Sequence, residues 1–381
     1  MKKYNNIFYL AILLLSVGFI FFGNRIVSGG LVLATAPDDM FVMSANILEI
    51  LHRGEETFEI SEDFSITNIF IEFLAEITSG DFEGEKVTAH QNISGFLHFD
   101  EVEVSFGNRV LLLYDEYIDI FQFMDFYRIN YIIILGVILF ILIVIFARKK
   151  GFNAFVSLAL TCLSLFLVFV PSILAGYNIY IAAIIICAYS VVTTLLIVVG
   201  PNKKTVASIV GCMGGILFAA ALMFNMDILL NLTGLIDQEA GALLALTTEN
   251  PIELRAIIFA GVVIGSTGAI MDVAMSISSS LWEVKIAGQN STFFNIFRSG
   301  IEIGKDILGT MLNTLILAYI GSSLPLILLL TANTTSFIGL FNMELVIVEF
   351  LRAIIGSFGM LLSIPLTACF CGLLYREKYR E

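Results

Sequence analysis

Residues 131–147 read Tyr-Ile-Ile-Ile-Leu-Gly-Val-Ile-Leu-Phe-Ile-Leu-Ile-Val-Ile-Phe-Ala and run directly into Arg148-Lys149-Lys150. At about 1.5 Å of rise per helical residue, this uncharged run comes close to the ~30 Å hydrocarbon thickness of a bilayer. The three cations behind it are the kind of group a membrane span leaves on the cytoplasmic side. The rest of the chain agrees: 58% of its 381 residues are hydrophobic and 14% charged, against about 45–50% and about 25% in soluble domains. Seven more stretches qualify as spans or nearly so: Ile7–Phe22, Phe152–Ser172, Tyr177–Val199, Val206–Met226, Leu254–Met275, Ile307–Leu330 and Val346–Leu374. The expected fold is therefore a membrane all-α bundle of about eight helices. Its parts are an anchor (1–24), an outer domain (25–128), a seven-helix membrane domain (129–375) and a short tail (376–381).

Orientation follows from the basic residues. Placing the N-terminus inside gathers Lys2, Lys3, Arg148, Lys149, Lys150, Lys203, Lys204, Lys285, Arg298, Lys305, Arg376, Lys378 and Arg380 on one side, 13 of the 20 bases. Both termini are then cytoplasmic. Lys2 and Lys3 before an apolar run also fit a cleavable signal peptide, with Ala34-Thr35-Ala36 as its site. The distance of that site from the apolar run, with Arg25 between them, favours an uncleaved anchor.

The net charge of −13 is not spread evenly. Residues 25–128 carry 20 acids against five bases, and this acidity opposes phosphate binding and excludes nucleic acid as a partner. Alternating polarity over Ile69–Thr78, Lys86–Gln91 and Arg109–Tyr114, with turns at Ser79-Gly80-Asp81 and Gly107-Asn108, predicts a small mainly-β barrel or sandwich. Asp81, Glu83 and Glu85 are better read as the wet side of a hairpin than as metal ligands. His52, His90 and His98 read as surface imidazoles. The five cysteines lie in apolar runs and read as small buried hydrophobes. No cofactor-binding loop of either common nucleotide type is present.

Polar residues inside apolar runs carry the functional expectation, because an ionisable group at membrane depth costs a few kcal/mol or more. Asn250-Pro251-Ile252-Glu253 reads as a helix start, with a cap, a proline at the first position and an acid in the first turn. Behind it Gly261, Gly265, Gly268, Asp272, Ser276, Ser279 and Glu283 recur on one face. Glycines so spaced admit a neighbouring helix closely, and Asp272 on the same seam is either a transport carboxylate or an interfacial one. The next span carries Asp306, Gly309 and Asn313 on one face. The last aligns Glu349, Arg352, Gly356, Gly359 and Ser363 above Pro365, with Glu349 and Arg352 spaced to pair.

The runs Gly265-Ser-Thr-Gly-Ala-Ile-Met-Asp-Val-Ala-Met-Ser-Ile-Ser-Ser279 and Gly304-Lys-Asp-Ile-Leu-Gly-Thr-Met-Leu-Asn-Thr-Leu-Ile-Leu-Ala-Tyr-Ile-Gly321 resemble the YibE/F family of bacterial membrane proteins. Ala75–Val87 with Gln91-Asn92 is similar to that family's outer-domain signature, so the likeness extends over nearly the whole chain. Lys305 stands where the family more often has Arg, which keeps the charge but gives up a bidentate contact. The resemblance implies the topology and adds weight to Asp272, Asp306 and Asn313, without naming a substrate. The leading functional expectation is a permease or secondary transporter of a small solute or ion. A non-catalytic accessory whose outer domain binds an envelope partner is the second. An intramembrane hydrolase is the third: no histidine lies in any span, and only Asp306 is available to pair with Asp272. The chain is not expected to be an enzyme.

Overall fold

The computed structural model describes residues 2–28, 40–61, 64–80, 82–95, 102–116, 118–236, 240–243, 252–287, 292–333 and 336–375. Ala34–Ala36, Asp81, His98, Asn250-Pro251 and the C-terminal bases lie outside them. The chain divides into two units, residues 34–142 and residues 1–33 with 143–381.

The first unit holds five strands: β1 (Met40–Ser61), β2 (Phe64–Ile77), β3 (Lys86–Ile93), β4 (Arg109–Asp115) and β5 (Ile120–Phe126). They close in the order β1-β2-β3-β5-β4, with every pairing antiparallel except β3 with β5. The result is a five-stranded Greek-key barrel of the OB type. β1 pairs with both β2 and β4, and register shifts at Ile47/Glu49 and Ile50/His52 bend it around the barrel. Ala45, Ile47, Phe73, Ala75, Ala89 and Leu112 point inward and are buried. Gln91 is buried with them, its amide donating to the Val102 carbonyl and accepting from the Val104 amide. Gly80 and Gly84 take positive φ in the β2–β3 turn, where Glu83 and Glu85 are exposed. Among the described residues no three acidic, histidine or cysteine side chains are placed to hold a metal. His52 is exposed, whereas His90 is half-buried and stacks on Phe70 at 5.3 Å.

The helices are α1 (Lys2–Ser28), α2 (Ile129–Ser164), α3 (Val170–Leu174), α4 (Ile179–Val198), α5 (Lys203–Leu230), α6 (Leu254–Ile286), α7 (Phe293–Ser322), α8 (Leu324–Asn333), α9 (Phe337–Phe341) and α10 (Glu344–Tyr375). Among the described residues seven segments are long and apolar enough to cross a membrane, against the eight expected. The difference lies in Ile129–Leu174, which forms one helical stretch of 46 residues. Arg148 interrupts it with φ 50 and ψ −126. Gly151 meets the Ile143 carbonyl so closely that a Cβ would sit 2.5 Å from its oxygen. Further along, Pro171 lacks an amide and crowds the preceding turn, and the helix passes through a π turn at Leu165–Phe169 just before it.

Other boundaries also move. The first span is longer than expected, with an apolar segment at Phe8–Val27. It packs into the bundle through Phe19 on Tyr189 at 4.4 Å and Ser16 on Thr193 at 3.4 Å. α6 starts at Leu254 with Glu253 as its N-cap and runs on to Ile286. The expected Ile307–Leu330 span instead begins at Phe293 and breaks at Ser323, because Pro325 cannot continue a helix. Cys162 is exposed and Cys369 partly so, while Cys187, Cys212 and Cys371 are buried as expected.

The bundle core lies where α5, α6 and α10 meet, with Ile216, Met223, Ile270 and Ile277 almost fully buried. Lipid tails are as apolar as these side chains, so association depends on close packing and on hydrogen bonds between helices. Ser208 of α5 and Ser278 of α6 supply one such bond at 2.6 Å, and Tyr375 of α10 donates to the Ser278 carbonyl at 3.1 Å. At this end Trp282 lies under Lys204 and Lys285 and edge-on to Tyr375.

Candidate functional site

Gly261, Gly265, Gly268 and Asp272 all fall on an exposed stripe of α6, continued by the half-buried Ser276. A Cβ built on Gly261 or Gly268 would meet nothing within 4 Å, and one on Gly265 would meet only the Tyr319 hydroxyl of α7, at 3.0 Å. The expected helix does not cover this seam. The opposite face of the same helix, with Val262, Val263, Ile270 and Ile277, carries the packing instead. Asp272 makes no hydrogen bond or ion pair with any described residue.

Asp272 lies ten residues before Trp282 on α6, or about 15 Å along the axis.

Beside the stripe, Gly268 shares a cavity of about 370 Å³ with α2 and α4. Its polar lining is hydroxylic: Ser157 and Thr161 from α2, Ser190 and Thr194 from α4, and Thr267 from α6. Thr161 and Ser190 are 3.3 Å apart, and Thr267 donates to its own helix at the Val263 carbonyl. None of these hydroxyls was singled out from the sequence, where a lone Ser or Thr in a span looks unremarkable.

Asp306, Gly309 and Asn313 are exposed on α7, but they do not join the α6 stripe. Gly300 and Gly304 of α7 pack against Ala368 and Ile364 of α10, and Tyr319 faces Gly265. At 3.6 residues per turn, Asp306 points about 160° away from Gly304 and about 140° away from Tyr319. Its strip therefore faces out of the bundle. Glu349 and Arg352 pair within α10, their side chains 18% and 29% exposed. Glu349 Oε2 has no partner, and the residue lines an apolar cavity of about 300 Å³ with Tyr319, Phe337, Phe341 and Phe350. Gly356 and Gly359 on the same helix are buried against α6 and α5.

Long apolar helices packed around an α5–α6–α10 core, with an exposed polar stripe on α6, fit a multi-helix membrane protein. Residues 135–377, 243 of the 381, match the family of YibE/F-like proteins, and the chain belongs to it. The match runs from within α2 through α10 and leaves out α1 and the barrel, so it does not extend to the Ala75–Val87 signature. No curated protein and no solved structure matches the chain.

Proposed function

We propose that this protein is a permease for a small solute or ion, with the open α6 stripe lining a water-accessible path and Asp272 at its midpoint. The observation that carries this reading is the exposure of Asp272 beside two glycines that face empty space; about 15 Å along α6 from Trp282, a residue type that marks bilayer interfaces, Asp272 would stand near the middle of a hydrocarbon layer of about 30 Å. A carboxylate turned toward lipid there would cost at least about 2.5–3.5 kcal/mol, whereas a water-filled groove removes that cost. Polar sites near the bilayer midplane are also where secondary transporters bind their substrates. The cluster of Lys204, Lys285, Trp282 and Tyr375 supports placing that end of the bundle in the cytoplasm of a bacterial plasma membrane, with both termini inside. The two-pass reading of Ile129–Leu174, which that topology needs, is supported by the break at Arg148.

The test needs no substrate. Single cysteines at Gly261 and Gly268, in a chain cleared of its own cysteines and reconstituted in vesicles, should react with a charged, water-soluble thiol reagent. Reaction with lipophilic reagents alone would place the stripe against lipid or another protein and end the permease reading.

The outward strip of Asp306, Gly309 and Asn313 favours a second reading, in which a neighbouring protein in the membrane covers α7 and this chain serves it as an accessory. Its polar groups would then act as interhelical hydrogen-bonding groups. The hydrolase reading has least support, because Asp306 turns away from Asp272, and we read the protein as a non-enzyme.

A further inference from the structure

Asp227, three residues from the end of α5, is 5% exposed, and no other charged side chain among the described residues is as buried. Its Oδ1 is sealed from solvent and has no hydrogen-bond partner. The elements packed around α5 at this level present few charged or titratable groups. α6 brings Glu253 and Arg255, α10 brings Glu344, and α4 brings Tyr180.

Each of the neighbouring acids is committed elsewhere. Glu344 accepts from the Thr233 amide and hydroxyl at 2.8 and 2.7 Å and from the Gly234 amide at 2.6 Å. Glu253 accepts from the Tyr180 hydroxyl at 3.1 Å, and the Tyr180 ring is held between Phe224 and Phe259. Arg255 acts on Asp227 through space and donates it no hydrogen bond; its side chain is exposed. Among the described residues, an ionised Asp227 would thus bury an unpaired anionic oxygen near two other carboxylates and one solvent-screened cation. Burial of a charge without a hydrogen-bonding partner costs several kcal/mol, and like charges nearby add to it. A bound proton removes both costs.

We propose that Asp227 is a proton-binding site, at the end of the bundle opposite Lys203 and Lys204, that takes up and releases a proton as the protein works. Its use as the coupling group of a transport cycle rests on the permease reading; the binding of a proton does not. The step is a simple transfer: one water-borne proton bonds to a carboxylate oxygen and leaves again to water, with no other bond made or broken.

Infrared difference spectra of the full chain in lipid vesicles, titrated from about pH 4 to about pH 9 so as to bracket ordinary and displaced carboxyls, test this directly. Wild type should show the C=O stretch of a neutral carboxyl that persists above the pH range in which ordinary carboxyls ionise. D227N should lack that band and still assemble, because Asn resembles the protonated acid, and D272N should keep it. Spectra of D227N that superimpose on wild type at every pH would overturn the proposal. Should D227N fail to assemble, R255Q decides. Removing this cation should let the band survive to higher pH, and an unmoved titration would again overturn the assignment. The two proposals fail separately: a water-inaccessible α6 stripe leaves the Asp227 band in place, and a missing Asp227 band leaves thiol reactivity at Gly261 and Gly268 unchanged.

Discussion

Two glycine seams run through this bundle, and in the amino-acid sequence they look alike. Gly211 and Gly215 of α5 meet α10, where Gly211 lies against Thr367 and a Cβ on Gly215 would sit 2.6 Å from the Gly359 carbonyl oxygen. Gly261, Gly265 and Gly268 of α6 recur at spacings of four and three, and a Cβ on Gly261 or Gly268 would meet nothing within 4 Å. Small residues in a membrane helix are thus used here in two opposite ways. In the α5–α10 seam they bring two backbones together, which is how helices associate when lipid competes equally for apolar surface. In the α6 stripe they leave open space on the side of the helix that carries Asp272.

The largest expected difference between the seams is steric. Gly215→Val should force the α5–α10 seam apart and destabilise the bundle by about 3 kcal/mol, seen as a lower thermal midpoint in detergent. Gly261→Val should shift it by no more than about 0.5 kcal/mol. Equal losses at both positions would mean that a helix or a partner chain closes the α6 stripe after all.

A smaller effect, but one whose sign is informative, concerns Asp272. If water fills the groove, Asp272→Asn leaves the thermal midpoint in vesicles nearly unchanged while any flux through the protein is lost. If the side chain faces lipid, the same change removes a charge from hydrocarbon and stabilises by about 2.5 kcal/mol or more. A clear stabilisation would therefore move α6 into the same category as the closed seam or a lipid-facing surface.

The smallest effect lies in the barrel and serves as a control on both. The Arg53 guanidinium, hydrogen-bonded to Glu103 at 2.8 Å through both oxygens, holds that carboxyl below the usual carboxylate range. A depressed folded-state pKa contributes stability above the unfolded value and loses it as pH falls through the folded one. Acidification from neutral pH to about pH 3 should therefore weaken wild type slightly more than Glu103→Gln, read by near-ultraviolet dichroism, with neither glycine seam affected.

Much of the helical part was legible because membrane spans announce themselves by length and lack of charge. The α4 and α5 apolar runs were placed within a few residues. Boundaries failed where polarity and helicity part company. Arg298, Glu302 and Lys305 hid the first turns of α7, and Ser276 to Lys285 hid the last turns of α6, although both are continuous helix. In the barrel β2, β3 and β4 were found by their alternation. β1 escaped because its register shifts break the two-residue period, and β5 because Ile120-Phe121-Gln122-Phe123-Met124-Asp125-Phe126 has no clean alternation.

Asp227 shows the limit most clearly. It stands at the end of an apolar run, and the groups that surround it lie at Tyr180, Glu253, Arg255 and Glu344, dozens of residues away along the chain. Composition, hydropathy and the distribution of charge were enough by themselves to assign a lipid-embedded helical protein with an acidic β domain, since those properties sum over residues wherever they end up. Which glycine seam closes, which carboxylates are exposed and which one is left without a partner depend on neighbours that only folding brings within a few ångströms, the range beyond which contact energies vanish.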